Sequence, residues 1–546
     1  MAVEERKQSG PQRAATVLGL LALAAPLALA SHPASAATTL TLPTFGVRSA
    51  GLTVAQANRV ARAFGLKHIS RDENGGVRYA AENAYSIPTR TVGRGKDEDG
   101  HVTSSTVLNR AALNRLKPIS ARSALQRATR SLAAARLAPA GGRVKTSNTM
   151  VTTVDRRGRT TASVALDTTV SYSFTLAGLP YEGPGAKVRV AYNGRGAATS
   201  LVYSTRRLIR TGSVPVLDAG LARERCAKVL GTGVKLGTVV PIYYAPALSE
   251  RLTSLAPSFR CSGTTADGSP TQIVTVPAAV DAVLPEMPAA PPPREKPAGV
   301  ASPDVTSRAY GVVDVGSEGT GPCSGLPHTA ANLASFNNQF KSRGIPVEFS
   351  WTDQNAWEQD FKDPSLGGDD SNWTDHVDMA YWQGHGAPTG FSFAGCSSND
   401  DSFLANTDAL WGNGDVEWMS LFTCQILQFG APGQRWWQRW GRAFDGLHQI
   451  NSFHTVSYHS AKHGGIYANY LLRKPFLWWN KPMSVRNAWA QASIDDQPDS
   501  VVWASMGVIG AGGLVNLNDY FWGKGPVGPD VPASGVTGYW YVSGTS

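Results

Sequence analysis

Two apolar stretches decide the predicted fold: residues 377–386, VDMAYWQGHG, and residues 416–424, VEWMSLFTC. Short apolar runs that are bounded by Gly, Asn and Asp are typical of buried strands in a parallel sheet. Each run ends in a reactive side chain, His385 in the first and Cys424 in the second. Ligands of open parallel sheets bind beyond the carboxyl ends of the strands. If the two strands are neighbours, an imidazole and a thiol meet in one crevice, as nucleophilic cysteine catalysis requires.

The sequence around these two runs alternates between strand and helix patterns. Further strands are predicted over residues 308–315, 347–351, 449–458 and 501–509, and helices over residues 329–343, 356–362, 436–442, 461–472 and 484–493. Alternation of this kind predicts an α/β domain with a mainly parallel sheet that is covered by helices. We assign residues 304–546 to this domain.

The spacing of the two reactive side chains resembles a known group of enzymes. An apolar strand ends in His385-Gly386, and an apolar strand ends in Cys424 after a further 39 positions (424 − 385). This arrangement resembles the caspase, gingipain and legumain group of cysteine peptidases, clan CD, and also an uncharacterised family of secreted bacterial proteins. The resemblance covers about residues 305–515 and implies a caspase-like fold. The group usually has Ala or Ser before the nucleophile and often Gly soon after it, whereas this chain has Thr423 and Gln425.

The resemblance implies a secreted cysteine endopeptidase. Cys424 would attack the scissile carbonyl, and His385 would protonate the leaving amine. The backbone N–H of Gly386 would stabilise the oxyanion, and no third catalytic residue is expected. The alternative for His385 is a capping or core histidine. The alternative for the whole chain is a catalytically inactive extracellular protein that binds a cell-wall or protein ligand.

The N-terminus is typical of a secretory signal peptide. Basic residues precede an apolar run over residues 14–30 and an Ala-Ser-Ala site at residues 34–36. We therefore expect residues 1–36 to be cleaved off before Ala37 and the protein to be exported. No later stretch reaches the roughly 18 apolar residues of a membrane span.

Export makes the five cysteines informative, because thiols pair outside the cell. Pairing Cys226 with Cys261 and Cys323 with Cys396, each within its own region, leaves Cys424 alone. An odd cysteine in a secreted protein indicates a free reactive thiol or an intermolecular bridge. The third interpretation is a buried inert thiol, since free cysteine is among the most buried residue types.

Charge divides the chain into two halves. Residues 37–303 carry 35 Lys and Arg against 16 Asp and Glu, whereas residues 304–546 carry 13 against 23. All 15 Trp lie in the second half. We predict a basic domain over residues 37–282, an extended Pro-rich linker over residues 283–303, and the acidic α/β domain.

The basic half is predicted to be α+β. Helices are expected over residues 52–64 and 118–137, and residues 188–206, VRVAYNGRGAATSLVYSTR, are expected to form a hairpin that turns at Asn193-Gly194. This pattern resembles PepSY-like domains, which accompany secreted peptidases as pro-regions. Opposite charges could dock this half onto the acidic half as an inhibitor. A separate binding domain, or attraction to anionic cell-wall polymers, is also compatible with the sequence. Scattered Arg residues argue against nucleic acid.

No cofactor or metal is assigned. Asp369-Asp370 and Asp400-Asp401 lie in Gly-, Asn- and Ser-rich loops and could bind calcium, but such runs are usually solvated acidic loops. His459 and His463 are four residues apart and are expected to be ordinary surface histidines. The predicted partner is therefore a protein or peptide substrate, and an acidic domain would suit a basic residue at the cleaved bond.

Overall fold

The computed structural model describes residues 40–546, except residues 83, 97–99, 138, 140, 285, 295–312, 397–400, 432 and 476–479. The chain from Leu40 to Ser546 forms one compact unit. The predicted signal peptide lies outside the described residues. The predicted domain boundaries at residues 282 and 304 stay predictions.

The basic half contains the first nineteen strands and four helices of the described chain. Its strands are β1 (Thr41–Ala50), β2 (Ser70–Arg71), β3 (Val77–Ala80), β4 (Thr89–Thr91), β5 (Gly95–Lys96), β6 (Val102–Thr103), β7 (Thr106–Leu108), β8 (Arg143–Ser147), β9 (Met150–Asp155), β10 (Thr160–Ala165), β11 (Thr168–Leu176), β12 (Leu179–Glu182), β13 (Lys187–Tyr192), β14 (Ala198–Ser204), β15 (Arg206–Pro215), β16 (Lys235–Tyr244), β17 (Ser254–Leu255), β18 (Ser258–Thr264) and β19 (Val274–Pro277). Its helices are α1 (Val54–Phe64), α2 (Arg110–Asn114), α3 (Ala121–Ala134) and α4 (Ala219–Leu230).

The acidic half continues the same numbering. Its strands are β20 (Val315–Gly319), β21 (Val347–Thr352), β22 (Met379–Gln383), β23 (His385–Ala387), β24 (Gly390–Ser392), β25 (Phe403–Ala405), β26 (Trp418–Phe422), β27 (Gly430–Ala431), β28 (Gln434–Arg435), β29 (Gln449–Phe453), β30 (Val502–Ile509) and β31 (Gly538–Thr545). Its helices are α5 (Thr329–Lys341), α6 (Trp436–Trp440), α7 (His463–Leu472) and α8 (Val485–Asp496).

A nine-stranded sheet forms the centre of the molecule, in the order β10-β9-β31-β30-β29-β26-β22-β20-β21. The five strands from β29 to β21 are parallel to one another, as the two apolar runs predicted. The remaining four strands join antiparallel, and two of them, β9 and β10, come from the basic half. Side chains of β22 alternate between the two faces, so that Tyr381 packs under helix α5 and Trp382 packs into a Trp-rich cluster on the other face.

The predicted mainly parallel, helix-covered sheet is therefore wrong. Strands hold 35% of the residues and helices 23%, and the sheets are antiparallel or mixed. The prediction missed β31, which pairs with β30 over eight residues and then with β9. Only one face of the central sheet is covered by long helices, α5, α7 and α8. Short helices and irregular segments around buried Trp residues cover the other face.

A second sheet lies in the basic half, in the order β19-β18-β16-β12-β11-β13-β14-β3-β2. Helices α1 and α3 pack on it through small apolar residues. Helix α1 begins at Thr53, which forms a capping box with Gln56. The predicted hairpin at Asn193 is confirmed, because β13 and β14 are antiparallel and the Asn193 carboxamide oxygen accepts backbone N–H groups of the turn.

Buried polar contacts join the two halves. The ammonium group of Lys187 on β13 is fully buried and donates to the backbone carbonyls of Ile494, at 2.7 Å, and Gln497. Arg78 on β3 forms an ion pair of 3.0 Å with Asp495. The Lys187 ammonium needs these partners in the other half to offset the cost of burial, whereas Arg78 also pairs with Asp72 at 3.2 Å in its own half. Among the described residues no helix is long and apolar enough to cross a membrane.

Candidate functional site

The structure brings His385, Gly386 and Cys424 to one edge of the central sheet. Strands β22 and β26 are parallel neighbours, and Gln383 at the end of one pairs with Phe422 at the end of the other. His385 and Cys424 each follow two residues later. A Cβ atom added to Gly386 would lie 2.4 Å from Thr423 Oγ1 and 3.2 Å from the Cys424 carbonyl oxygen. Only glycine lets the two loops approach this closely. The catalytic roles of the three residues stay predictions.

The His385 imidazole is buried and both of its nitrogens are hydrogen-bonded. Nδ1 lies 3.0 Å from the backbone N–H of Gln272 and accepts from it. The proton therefore sits on Nε2, which donates to the Ser324 carbonyl at 2.8 Å. Burial lowers the pKa of His385 to about 4, so the ring is neutral at physiological pH. Neither ring nitrogen is free to accept the thiol proton of Cys424.

Cys424 is a free, fully buried thiol. Its Sγ lies 3.8 Å from Ser457 Oγ, and burial raises the pKa of the thiol to about 12. A thiol of this kind is not a nucleophile at neutral pH, because the thiolate is the reactive form. The next residue, Gln425, has a φ of 58°, a left-handed conformation that is uncommon outside glycine. Such strained residues often accompany functional sites.

Gln272, from the basic half, fills the space between the two strand ends. Its carboxamide nitrogen donates to the Phe422 carbonyl at 2.9 Å and to Ser457 Oγ at 3.3 Å. Its carboxamide oxygen accepts from Gln383 Nε2 at 3.4 Å and lies 3.0 Å from His459 Nδ1. All four hydrogen-bonding positions of the amide are thereby used, each by a residue of the acidic half.

His459 is part of this site, although the sequence predicted a surface histidine. Its Nε2 accepts from the backbone N–H of His328 at 2.9 Å, so the proton lies on Nδ1 and is donated to Gln272. Burial, together with the neighbouring His328 and His385, lowers the pKa of His459 well below its usual value. His463 is also buried and stacks on Phe422 at 4.3 Å. The surface prediction is wrong for His463, which is fully buried, whereas His459 is half-buried and hydrogen-bonded into the site.

We name residues 269–273 the crevice segment, since they lie across this edge of the sheet. Ile273 donates its N–H to the Ser457 carbonyl and accepts from the His459 N–H, both at 2.9 Å. The segment is thus joined to residues 457–459 by one parallel β-bridge, between Ile273 and Tyr458. Thr271 anchors it to the basic half through two hydrogen bonds with Gly263, at 2.8 Å and 3.0 Å. The basic half therefore occupies the crevice with a segment of its own backbone.

Both predicted disulfides are formed, Cys226–Cys261 and Cys323–Cys396. The first ties helix α4 to strand β18, next to the crevice segment. The second holds the loop of residues 322–324, whose last residue, Ser324, accepts the His385 hydrogen bond. Extracellular proteins form such bonds, so the pairs are compatible with an extracellular location.

The site offers no ready metal ligands among the described residues. Cys323, Asp353 and Cys396 are close enough to share an ion, but the two sulfurs are bonded to each other. The Asp353 carboxylate instead accepts backbone N–H groups of Gly321 and Cys323. In the acidic loops, Asp369 accepts from the side chains of Asn372 and Trp373, and Asp400 lies outside the described residues.

Comparison with known proteins gives a family-model match in the acidic half. Residues 317–544 match the model of DUF6345, a domain of unknown function. No curated protein matches the chain. An uncharacterised protein from Eubacterium rectale ATCC 33656 is 12% identical, with 41% of this chain and 78% of that chain covered and a TM-score of 0.22. The Bacillus megaterium YpeB C-terminal domain is 14% identical, with 42% and 94% covered and a TM-score of 0.17.

Proposed function

We propose that this protein is a secreted cysteine endopeptidase, made in a latent form, that hydrolyses peptide bonds through Cys424 and His385. The observation that carries the proposal is the crevice segment, which forms a β-bridge with Tyr458 and donates the Gln272 N–H to His385. An extended peptide substrate would use the same backbone groups of residues 457–459, since strand addition is a general mode of peptide recognition.

The chemistry would follow in two steps. His385 takes the thiol proton of Cys424, and the sulfur attacks the scissile carbonyl to give a tetrahedral oxyanion beside the Gly386 N–H. The C–N bond then breaks, and the amine leaves with the proton from His385. Water hydrolyses the resulting thioester, which restores the thiol and releases the carboxylate.

The filled crevice keeps this pair inactive. With a thiol pKa of about 12, only roughly one thiol in 10⁵ is ionised at pH 7. His385 has no free nitrogen, because Gln272 and Ser324 occupy both. Displacement of the crevice segment would free Nδ1 of His385 and admit water, and hydration of the ionised forms reverses the pKa shifts that burial causes.

Three further observations support the proposal. The His-Gly and Cys motifs resemble those of clan CD peptidases, although the sheet as a whole is mixed. The strained Gln425 follows the proposed nucleophile directly. The signal-peptide pattern and the two disulfides agree with an exported enzyme.

The experiment removes contacts of the crevice segment and measures the reactivity of the Cys424 thiol. The double variant Gln272→Ala/Ile273→Pro loses the amide contacts and the N–H that Ser457 accepts. We expect iodoacetamide to alkylate Cys424 at least 100-fold faster in this variant than in the wild-type chain. The added substitution His385→Ala should abolish most of that gain. The variant, but not its Cys424→Ala form, should cleave a peptide library. Gln126→Ala, an exposed position on α3, is the matched control.

A second function is favoured by the neutral, fully bonded His385. On this alternative the protein binds an extended peptide at residues 457–459 and performs no chemistry. The opened variant would then bind peptides without cleaving them, and its alkylation rate would be the same with and without His385. That result would refute the peptidase.

A further inference from the structure

A second built site lies where the linker meets the acidic half, and it uses none of the crevice residues. The guanidinium of Arg294 is enclosed by three indole rings, which we call the tryptophan cage. Its carbon lies 3.7 Å from the ring centroid of Trp357, 4.7 Å from Trp351 and 4.9 Å from Trp373. The Arg294 side chain is only 6% exposed. Cations bind the faces of such rings, most strongly when water is excluded.

Two carboxyl groups form the floor of the cage. Asp360 makes an ion pair with the Arg294 guanidinium. Glu318, on β20, is fully buried beside Asp360. Burial and the neighbouring Asp360 raise the pKa of Glu318 well above its usual value. Burial also raises the pKa of Asp360, to about 7, while the Arg294 guanidinium acts in the opposite direction. Asp360 is thus the carboxyl group of the floor that pairs with the cation.

The acidic half also binds the backbone that precedes the arginine. The Gln354 amide donates to the Pro291 carbonyl, and the Asn355 amide donates to the Pro292 carbonyl at 2.8 Å. Asn355 Oδ1 accepts the N–H of Arg294 at 2.7 Å. Proline runs are extended and carry unpaired carbonyls, so they suit recognition of this kind.

These contacts match an arginine better than a lysine. A planar guanidinium stacks between rings and presents several N–H donors to a carboxylate, whereas an ammonium is a compact and strongly hydrated charge. Residues 288–290 of the predicted linker are exposed, whereas the Arg294 side chain is buried.

We propose that the tryptophan cage is a recognition site for peptides in which an arginine follows a proline run, and that residues 291–294 are its resident ligand. A tethered ligand has a high effective concentration, so a free peptide competes poorly with it. Removal of the Arg294 side chain vacates the cage for a second peptide. The inference does not depend on the proposed peptidase activity.

The test uses the full chain with Arg294→Ala and the peptide acetyl-Pro-Pro-Pro-Arg-amide, with binding followed by Trp fluorescence and calorimetry. We expect the variant to bind the peptide at least 10-fold more tightly than the wild-type chain does. The Lys peptide should bind at least 10-fold more weakly, and the Ala peptide should not bind. Trp357→Ala in the variant should abolish binding, whereas Trp437→Ala, outside the cage, should not.

Circular dichroism will show whether Arg294→Ala folds. If it does not, Arg294→Lys replaces it in the test, because this variant keeps a cation above the two carboxyl groups. The Arg peptide should displace the lysine and bind this variant too. The proposal is overturned if a folded variant fails to bind the Arg peptide at millimolar concentration, or binds the Arg and Ala peptides equally.

Discussion

His448 provides a quantitative test of how burial and charge stabilise the acidic half. Its side chain is fully buried between two carboxylates, with Nδ1 at 2.7 Å from Asp519 and Nε2 at 3.0 Å from Asp530. Burial alone would lower the pKa of His448, but the hydrogen bonds and charges of the two carboxylates raise it to about 9. The imidazole is thus charged in the folded protein at neutral pH.

The expected magnitude follows from the shift. A rise from about 6.5 to about 9 corresponds to roughly 3 kcal/mol of unfolding free energy. Asp530 is 68% exposed, so solvent screens its share, and we expect about 2–3 kcal/mol. The folded pKa is the higher one, so the stabilisation is fully present below pH 6.5 and is lost as the pH rises through 9.

The perturbation is His448→Gln, and the assay is urea unfolding followed by Trp fluorescence between pH 6 and pH 9.5. The unfolding free energy of the wild-type chain should exceed that of the variant, and this difference should be about 2–3 kcal/mol larger at pH 6 than at pH 9.5. Titratable groups that do not contact His448 or its two carboxylates cancel in the difference. In a chain of this size the thermal midpoint shifts by only about 1 °C per kcal/mol, so heating is the less sensitive assay.

His454→Gln is the matched control. Burial and the neighbouring Arg439 lower the pKa of His454, in the opposite direction from the shift of His448, so its substitution should remove no stabilisation that is lost between pH 6.5 and pH 9. The reasoning fails if the wild-type and His448→Gln profiles run parallel from pH 6 to pH 9.5.

The remaining predictions concern the close contact at Gly386, the buried Lys187 between the two halves, and the Cys323–Cys396 disulfide. Gly386→Ala should lower the unfolding free energy by about 1–3 kcal/mol in urea, because its Cβ would meet a hydroxyl at 2.4 Å, whereas Gly395→Ala, with nothing within 4 Å, should be nearly neutral. Lys187→Met should cost about 2–4 kcal/mol, because two buried carbonyls lose their donor; a neutral result by the same assay would contradict the proposed role of this junction. Replacing Cys323 and Cys396 by Ala should cost about 2–4 kcal/mol and speed proteolysis of the loop around residue 323, and unchanged resistance to thermolysin, which cleaves before apolar residues, would count against it.

Local patterns predicted the local structure. Apolar runs gave the strands that end near His385 and Cys424, and periodicity gave helix α5, predicted over residues 329–343 and observed over Thr329–Lys341. Cysteine counting gave both disulfides and the free thiol. These features depend on residues close together in sequence, or on a small number of possible pairings.

The sequence patterns did not predict which segments far apart in the chain contact each other. Residues 269–273, SPTQI, carry no sign that Gln272 reaches a histidine 113 positions away. The burial of His459 depends on that same contact. Strand β31 was not predicted, because its Gly- and Ser-containing sequence gains stability from pairing with β30 and β9 rather than from a strong apolar pattern. The sequence places Arg294 in the linker and gives no sign of its contacts with the three indole rings.

The pairing of β9 with β31 limits how the molecule could be switched on. Strand β9, in the first third of the chain, pairs with the C-terminal strand β31 over six residue pairs. Proteolytic nicking between the halves would consequently yield two fragments that co-elute under native conditions and separate only in denaturant. Activation by shedding of a propeptide is thus disfavoured, and a hinge-like withdrawal of one short loop is the simpler route.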